Sequence, residues 1–185
     1  MESSKEKQAK AFDALKAKFG YKNKMQAPKI TKIVVSSGIG SVKEKDRKKP
    51  ELIAERLARI TGQKPATRLS KKSIATFRLR QGEPVGYQIT LRGARMFGFL
   101  DKLLNIAIPR TRDFRGLTAN SIDNIGNYPL GIKDHTIFPE TGDEELKDVF
   151  GLAITLVTNS GSKEETKAFL DLLGFPFKKD EVLKK

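Results

Sequence analysis

The stretch Arg68–Gly86, RLSKKSIATFRLRQGEPVG, sets Arg68, Lys71, Lys72, Arg78 and Arg80 against one acid, Glu83. From Lys64 to Arg95 the balance is eight Lys+Arg to that single carboxylate. Clusters of this kind bind phosphates by releasing condensed counterions. Arginine adds a planar fork for two-point phosphate contacts and a surface that stacks on bases. Phe77 and Tyr87 supply aromatic faces in the same region. The segment RTRDFRG repeats the theme with Arg110, Arg112, Phe114 and Arg115. The chemistry expected here is noncovalent recognition of a nucleic acid.

Other chemistries lack their parts. Gly38-Ile-Gly40 follows a strand-like run, but the third glycine of a dinucleotide fingerprint would fall at Lys43. No phosphate-cradling Gly-x-x-x-x-Gly-Lys-Ser/Thr occurs. His135 is the only histidine, and no nucleophile elbow accompanies it, so it is read as a packed or solvated side chain. Asp143, Glu144, Glu145 and Asp148 cluster without the spacing of a calcium loop. They read as an acidic surface that suits a basic partner. With no cysteine there is no disulfide, thiolate or cysteine zinc site. An enzyme is not expected, nor is a metal or cofactor.

The charge is uneven along the chain. Formal net charge is +14, with a pI near 9.9. Residues 1–133 hold 29 Lys+Arg against 11 Asp+Glu, whereas residues 134–185 hold 7 against 11. Such polarity places a polyanion on one side of the molecule. No 18-residue apolar run is present, so no membrane span and no membrane partner are expected. Residues 1–20 lack the apolar core of a signal peptide. Ala11, Phe12, Leu15 and Phe19 recur at helical spacing, which predicts an amphipathic helix docked on the domain.

Several elements must position the cations. Lys29–Ser37 is β-branched and bounded by Pro28 and Gly38, a strand. Asp46–Ile60 reads as a helix, with Pro50 in its first turn and Gly62 past its end. Pro65–Leu69 and Gly86–Arg92 read as strands, and Ala94–Ala107 as a helix stopped by Pro109. Tyr128–Phe138 holds a further strand and Phe150–Thr158 a buried one. Ser162 and Glu165 form a capping box for a helix that Gly174 and Pro176 stop. This order predicts an α+β fold: a mostly antiparallel sheet with helices on one face and the other face free for a partner. The expected organisation is an N-terminal amphipathic helix over 1–20, one nucleic-acid-binding α+β domain over 21–179 and a tail over 180–185.

Taken together, the motifs resemble a known family. They run Pro28-Lys-Ile-Thr-Lys-Ile-Val-Val, Thr61-Gly-Gln-Lys-Pro65, Lys71-Lys-Ser-Ile74, Phe77-Arg-Leu-Arg-Gln-Gly82, Thr90-Leu-Arg-Gly93, Ile108-Pro-Arg-Thr-Arg-Asp-Phe-Arg-Gly-Leu117, Gly126-Asn-Tyr128, Ile137-Phe-Pro-Glu140 and Gly174-Phe-Pro-Phe-Lys178. In this order they resemble the bacterial-type L5 family of large-subunit ribosomal proteins, from about Phe19 to Lys179. The resemblance implies a cytoplasmic, ribosomal, non-enzymatic role in docking 5S rRNA in the central protuberance, beside 23S-type rRNA. It implies that the free sheet face binds 5S rRNA. Gln63 and Thr90 match two hydrogen-bonding positions of the family, and Ser36 stands where the family has Asn. Lys32, Lys64 and Arg92 join that set by charge and position. The loop Lys71–Gln81 corresponds to one that meets P-site tRNA, which nominates Lys71, Lys72, Ser73, Ile74, Thr76, Phe77, Arg78 and Arg80. Arg110, Arg112, Asp143, Glu144 and Glu145 correspond to loops that meet a basic small-subunit protein across the intersubunit bridge. Asn124-Ile125 stands where the family usually has Gly-Arg.

Overall fold

A computed structural model of the chain describes residues 2–40, 49–77, 79–112, 114–141 and 149–178. The helices are α1 (Ser4–Ala9), α2 (Ala11–Phe19), α3 (Lys49–Thr61), α4 (Gly93–Lys102) and α5 (Lys163–Leu173). The strands are β1 (Ile30–Gly38), β2 (Ala66–Leu69), β3 (Pro84–Leu91), β4 (Tyr128–Ile132) and β5 (Leu152–Thr158). They form one five-stranded antiparallel sheet in the order β2-β3-β1-β5-β4. The fold is α+β, as the order of elements predicts.

The chain divides into two compact units, each built from discontinuous segments. The first comprises Met1–Ile33, Arg92–Leu130 and Thr155–Lys185. Its core draws on Leu15 of α2, Met96, Phe99 and Leu100 of α4, and Phe169, Leu170 and Leu173 of α5. The N-terminal segment is tied in by polar contacts. Asp101 accepts from Ser4 N at 2.8 Å and from its hydroxyl at 2.5 Å. Lys7 Nζ donates to the Leu173 carbonyl at 3.0 Å, and Ile30 N donates to Gln8 Oε1 at 3.0 Å. One amphipathic helix is predicted here, and the structure has two. The chain turns at Lys10, whose N–H bonds back to Glu6 and Gln8 as α1 closes. Ala11 and Leu15 are buried, as their spacing predicts.

Two other boundaries in this unit differ from expectation. The helix predicted over Ala94–Ala107 is α-helical to Lys102, then widens into one π-turn over Leu103–Ala107. Ile108 N there donates to the Leu103 carbonyl at 2.9 Å, and Leu103 and Ala107 stay buried, so the apolar stripe survives the change of pitch. At α5, Ser162 Oγ accepts from Glu165 N at 3.2 Å, the first arm of the predicted capping box. The second arm is displaced by one residue: Glu165 Oε2 accepts from Gly161 N at 2.8 Å. The other carboxylate oxygen accepts from the Tyr21 hydroxyl, which draws the side chain away from the cap.

The second unit comprises Val34–Leu91 and Gly131–Ile154. α3 buries Ile53, Leu57 and Ile60 on one face, spaced for a helical stripe against β3. Pro50 lies in its first turn, and Gly62, at φ 67°, follows its end. The predicted helix start at Asp46 lies outside the described residues. The strand expected within Tyr128–Phe138 is β4, which ends at Ile132, and a 3-10 turn, His135–Ile137, follows.

Candidate nucleic-acid interface

In the second unit, alternation sorts β1 and β3 onto two faces. Val35 and Ser37 of β1 and Ile89 and Leu91 of β3 are buried. Ser36, Gln88 and Thr90 point the other way and are half-buried. β2 is exposed along its whole length. Its register with β3 pairs Ala66 with Gln88, Thr67 with Tyr87 and Arg68 with Gly86. β1, β2 and β3 contain no aspartate or glutamate. The open face of these strands is therefore free of acids.

Gln63 and Lys64 occupy the corner between α3 and β2. Thr61 Oγ1 fixes that corner, donating to the Leu57 carbonyl at 2.7 Å and the Gln63 carbonyl at 3.2 Å. Gln63 is half-buried and Lys64 exposed. Because β2 runs antiparallel to β3, residues preceding Ala66 lie toward the Thr90 end of β3. The structure thus assembles Ser36, Gln63, Lys64 and Thr90 within one unit. Lys32 and Arg92 belong to the first unit. Lys32 is half-buried on β1, and Arg92 is exposed in the extended residue before α4.

Between β2 and β3 the chain leaves the sheet. Ser70 N donates to the Glu83 carbonyl at 2.8 Å, and Gly82 N to the Ser70 carbonyl at 3.0 Å, closing the base of a loop. Farther out, Ile74 and Leu79 exchange backbone bonds of 3.0 and 3.2 Å around a 3-10 turn, Ala75–Phe77. Gln81 N donates to Ser73 Oγ at 3.0 Å. The near-alternation of Ser73–Arg80 thus describes a hydrogen-bonded arm rather than a sheet strand. Lys71, Lys72, Ser73, Thr76 and Arg80 are exposed on it. Ile74 and Phe77 are also exposed, Phe77 at 67%. Arg78 lies outside the described residues.

Comparison with known proteins agrees with this architecture. Residues 23–80 match the family model described as ribosomal protein L5, and residues 84–177 match the model for the C-terminus of the same ribosomal family. The chain is 49% identical over 166 residues to the large ribosomal subunit protein uL5 of a Thermoanaerobacter species, covering 90% of this chain and 92% of that one. It is 49% identical over 162 residues to uL5 of Thermus thermophilus, covering 88% of each. With uL5 of Dictyoglomus turgidum the identity is 49% over 180 residues, 97% of this chain and all of the other. The chain belongs to the uL5 family.

Other candidate residues of this uL5 chain are placed less closely. Arg110 and Arg112 are exposed just beyond the π-turn in the first unit. Asp143, Glu144 and Glu145 lie outside the described residues. Ile125 is 72% exposed in a turn that Asp123 caps by accepting from Ile125 N at 3.0 Å and Asn127 N at 2.6 Å.

His135 is fully buried in the second unit and stacks on Phe150 with ring centroids 4.1 Å apart. Phe150 N donates to its Nδ1 at 3.3 Å, and Arg56 Nη1 sits 3.4 Å from its Nε2. Of the packed and solvated readings, the structure shows the packed one, and a ring buried this way offers no open face to a substrate. Among the described residues no group of three or more His, Cys, Asp or Glu could hold a metal ion, and no helix is long and apolar enough to cross a membrane.

Sequence reasoning missed one member of the open face. Gln88 accepts from Arg68 Nε at 2.5 Å, so both side chains belong with Ser36 and Thr90. Alternation with Thr90 puts Gln88 on this face, but its pairing with Arg68 is set by the β2–β3 register.

Proposed function

We propose that this chain binds 5S rRNA through the open sheet face and helps hold it in the large ribosomal subunit. Membership of the uL5 family makes the chain a structural constituent of that subunit, a cytoplasmic particle in bacteria, and not an enzyme. The observation that carries the finer reading is the acid-free face of the second unit, the unit that also holds Ser36, Gln63, Lys64 and Thr90. Ser36 offers one hydroxyl where an amide would offer paired groups, so its contact is a single donor–acceptor exchange. Lys32 and Arg92, in the first unit, are further candidates for contact with the same RNA.

In the same reading the Lys71–Gln81 arm meets P-site tRNA. Its exposed Phe77 and Ile74 cover the ribose or base surface while Lys71, Lys72, Arg78 and Arg80 meet phosphates. Arg110 and Arg112, with Asp143, Glu144 and Glu145, face a basic small-subunit protein across the intersubunit bridge, and 23S-type rRNA is a further neighbour.

The test is a filter-binding or fluorescence titration at physiological salt. The protein should prefer 5S rRNA over an unrelated folded RNA of equal size, and affinity should fall linearly in log–log form with salt. Equal affinity for the two RNAs would overturn the 5S assignment.

A further inference from the structure

Arg68 and Gln88 are diagonal neighbours across the β2–β3 ladder. Arg68 pairs directly with Gly86, and Gln88 with Ala66. Gly86 presents no side chain opposite Arg68, so the guanidinium leans along the strand and its Nε donates to Gln88 Oε1 at 2.5 Å. A guanidinium has donors only, so the oxygen of the Gln88 amide must be the atom that faces it. The amide NH2 therefore points away from the arginine. Arg68 forms no ion pair among the described residues, and β1, β2 and β3 supply no carboxylate to quench it. Gln88 is half-buried and Arg68 exposed, so the amide is held while the outer guanidinium nitrogens reach solvent.

The pair thus turns its free hydrogen-bond donors outward, one end charged and one end neutral. Such an array fits a group with acceptors only. We propose that Arg68 and Gln88 act as one clamp for a backbone phosphate of the bound RNA, with Gln88 held in its productive orientation by Arg68. This rests on the RNA-binding reading of the open face and adds the residues that hold the sugar–phosphate chain there. Charge-assisted contacts from a planar fork are strong and geometrically demanding, and the pre-set amide lowers the ordering cost of binding. Phosphate contacts set register but carry no base sequence. The clamp therefore contributes to affinity for any RNA seated on the face.

The experiment titrates the full-length protein and its variants with 5S rRNA and with an unrelated folded RNA, each across a salt series. Gln88→Glu keeps a partner for Arg68 but replaces the outward NH2 with a carboxylate oxygen, so affinity for both RNAs should fall by about tenfold or more. Arg68→Ala should weaken both and lower the log–log salt slope by about 0.7–0.9, the signature of one lost phosphate contact. Arg68→Lys keeps the charge and loses the fork, so the slope should hold while affinity drops. Denaturant midpoints of all three should stay near wild type, since the pair lies at the surface. Wild-type affinity in Gln88→Glu, or an unchanged salt slope in Arg68→Ala, overturns the clamp. Preference for 5S rRNA over the control reads the 5S assignment separately: a clamp effect on both RNAs without that preference would sink the assignment and leave the clamp standing. A wild-type protein that binds neither RNA would overturn both.

Discussion

The Tyr21 hydroxyl donates to the Glu165 carboxylate, joining the segment after α2 to the first turn of α5 across 144 residues of sequence. Burial, then the hydrogen bond and charge of Glu165, push the Tyr21 hydroxyl well above the ordinary tyrosine value of 10.0. Tyr21→Phe keeps the ring that stacks on Phe19 and removes only the donor. Glu165 retains Gly161 N, so the cost should be about 1–2 kcal/mol, read as a lower urea midpoint at unchanged slope. The pH dependence has a definite sign. A raised folded-state value means that the native state holds its proton while the unfolded chain releases it. The contribution is complete below about pH 10 and declines as pH rises through and beyond it. The stability advantage of wild type over Tyr21→Phe should therefore shrink as pH climbs above about 10. A difference that stays constant into strong alkali would contradict this role.

Gly126 sits at φ 86° beneath three buried hydroxyls. Its carbonyl accepts from Thr158 Oγ1 at 2.7 Å and from Thr166 Oγ1 at 3.2 Å, and Ser160 Oγ links the two threonines. An added Cβ would press on Ser160 Oγ and lie 2.6 Å from Thr166 Oγ1. Gly126→Ala therefore meets a left-handed backbone and a filled space together. A loss of about 2–4 kcal/mol is expected, seen as a lower melting temperature. Wild-type stability would mean that the turn relaxes without disturbing the hydroxyl network.

Local signals carried most of the elements, and long-range pairings carried what the sequence concealed. α5 was legible because Ser162, its apolar stripe and Gly174 all act within a few residues of one another. His135 was legible only as non-catalytic, because no neighbouring nucleophile accompanies it; its burial against Phe150 depends on a pairing 15 residues away. The π-turn over Leu103–Ala107 was hidden because it keeps Leu103 and Ala107 inward, so the hydrophobic pattern barely changes. Glu165 looked like half of a capping box, since nothing local marks Tyr21 as a competing donor. Gln88 was missed for the same reason: its partner is fixed by the β2–β3 register, which alternation alone does not give. Phe77 has the composition of a packed residue, and only the loop's closure at Ser70 and Gly82 shows that it stands outside the sheet.

The buried His135 supports a stability prediction that separates packing from chemistry. His135→Ala would empty a fully buried site against Phe150 and leave Phe150 N without its ring acceptor. The cost should be about 3 kcal/mol, measured by equilibrium unfolding. RNA affinity of the folded fraction should be unchanged, because the ring faces the core rather than the open strands. A loss of RNA affinity with intact stability would place the histidine in the binding surface instead.

The sheet face and the arm should fail separately. Gln63→Ala with Thr90→Ala removes two hydrogen-bonding side chains from the face, while Arg78→Ala with Arg80→Ala removes charge from the arm. The first pair should weaken 5S rRNA binding by about thirtyfold, two neutral contacts at roughly 1 kcal/mol each, with little change in salt slope. The second should leave 5S rRNA binding nearly intact and weaken P-site tRNA retention in assembled ribosomes. Phe77→Ala belongs with the arm: a side chain 67% exposed contributes little to folding, so its loss should register in tRNA retention and not in the unfolding midpoint. Both measurements are needed on each variant, because an arm that abolished 5S rRNA binding in a folded protein would merge the two surfaces into one.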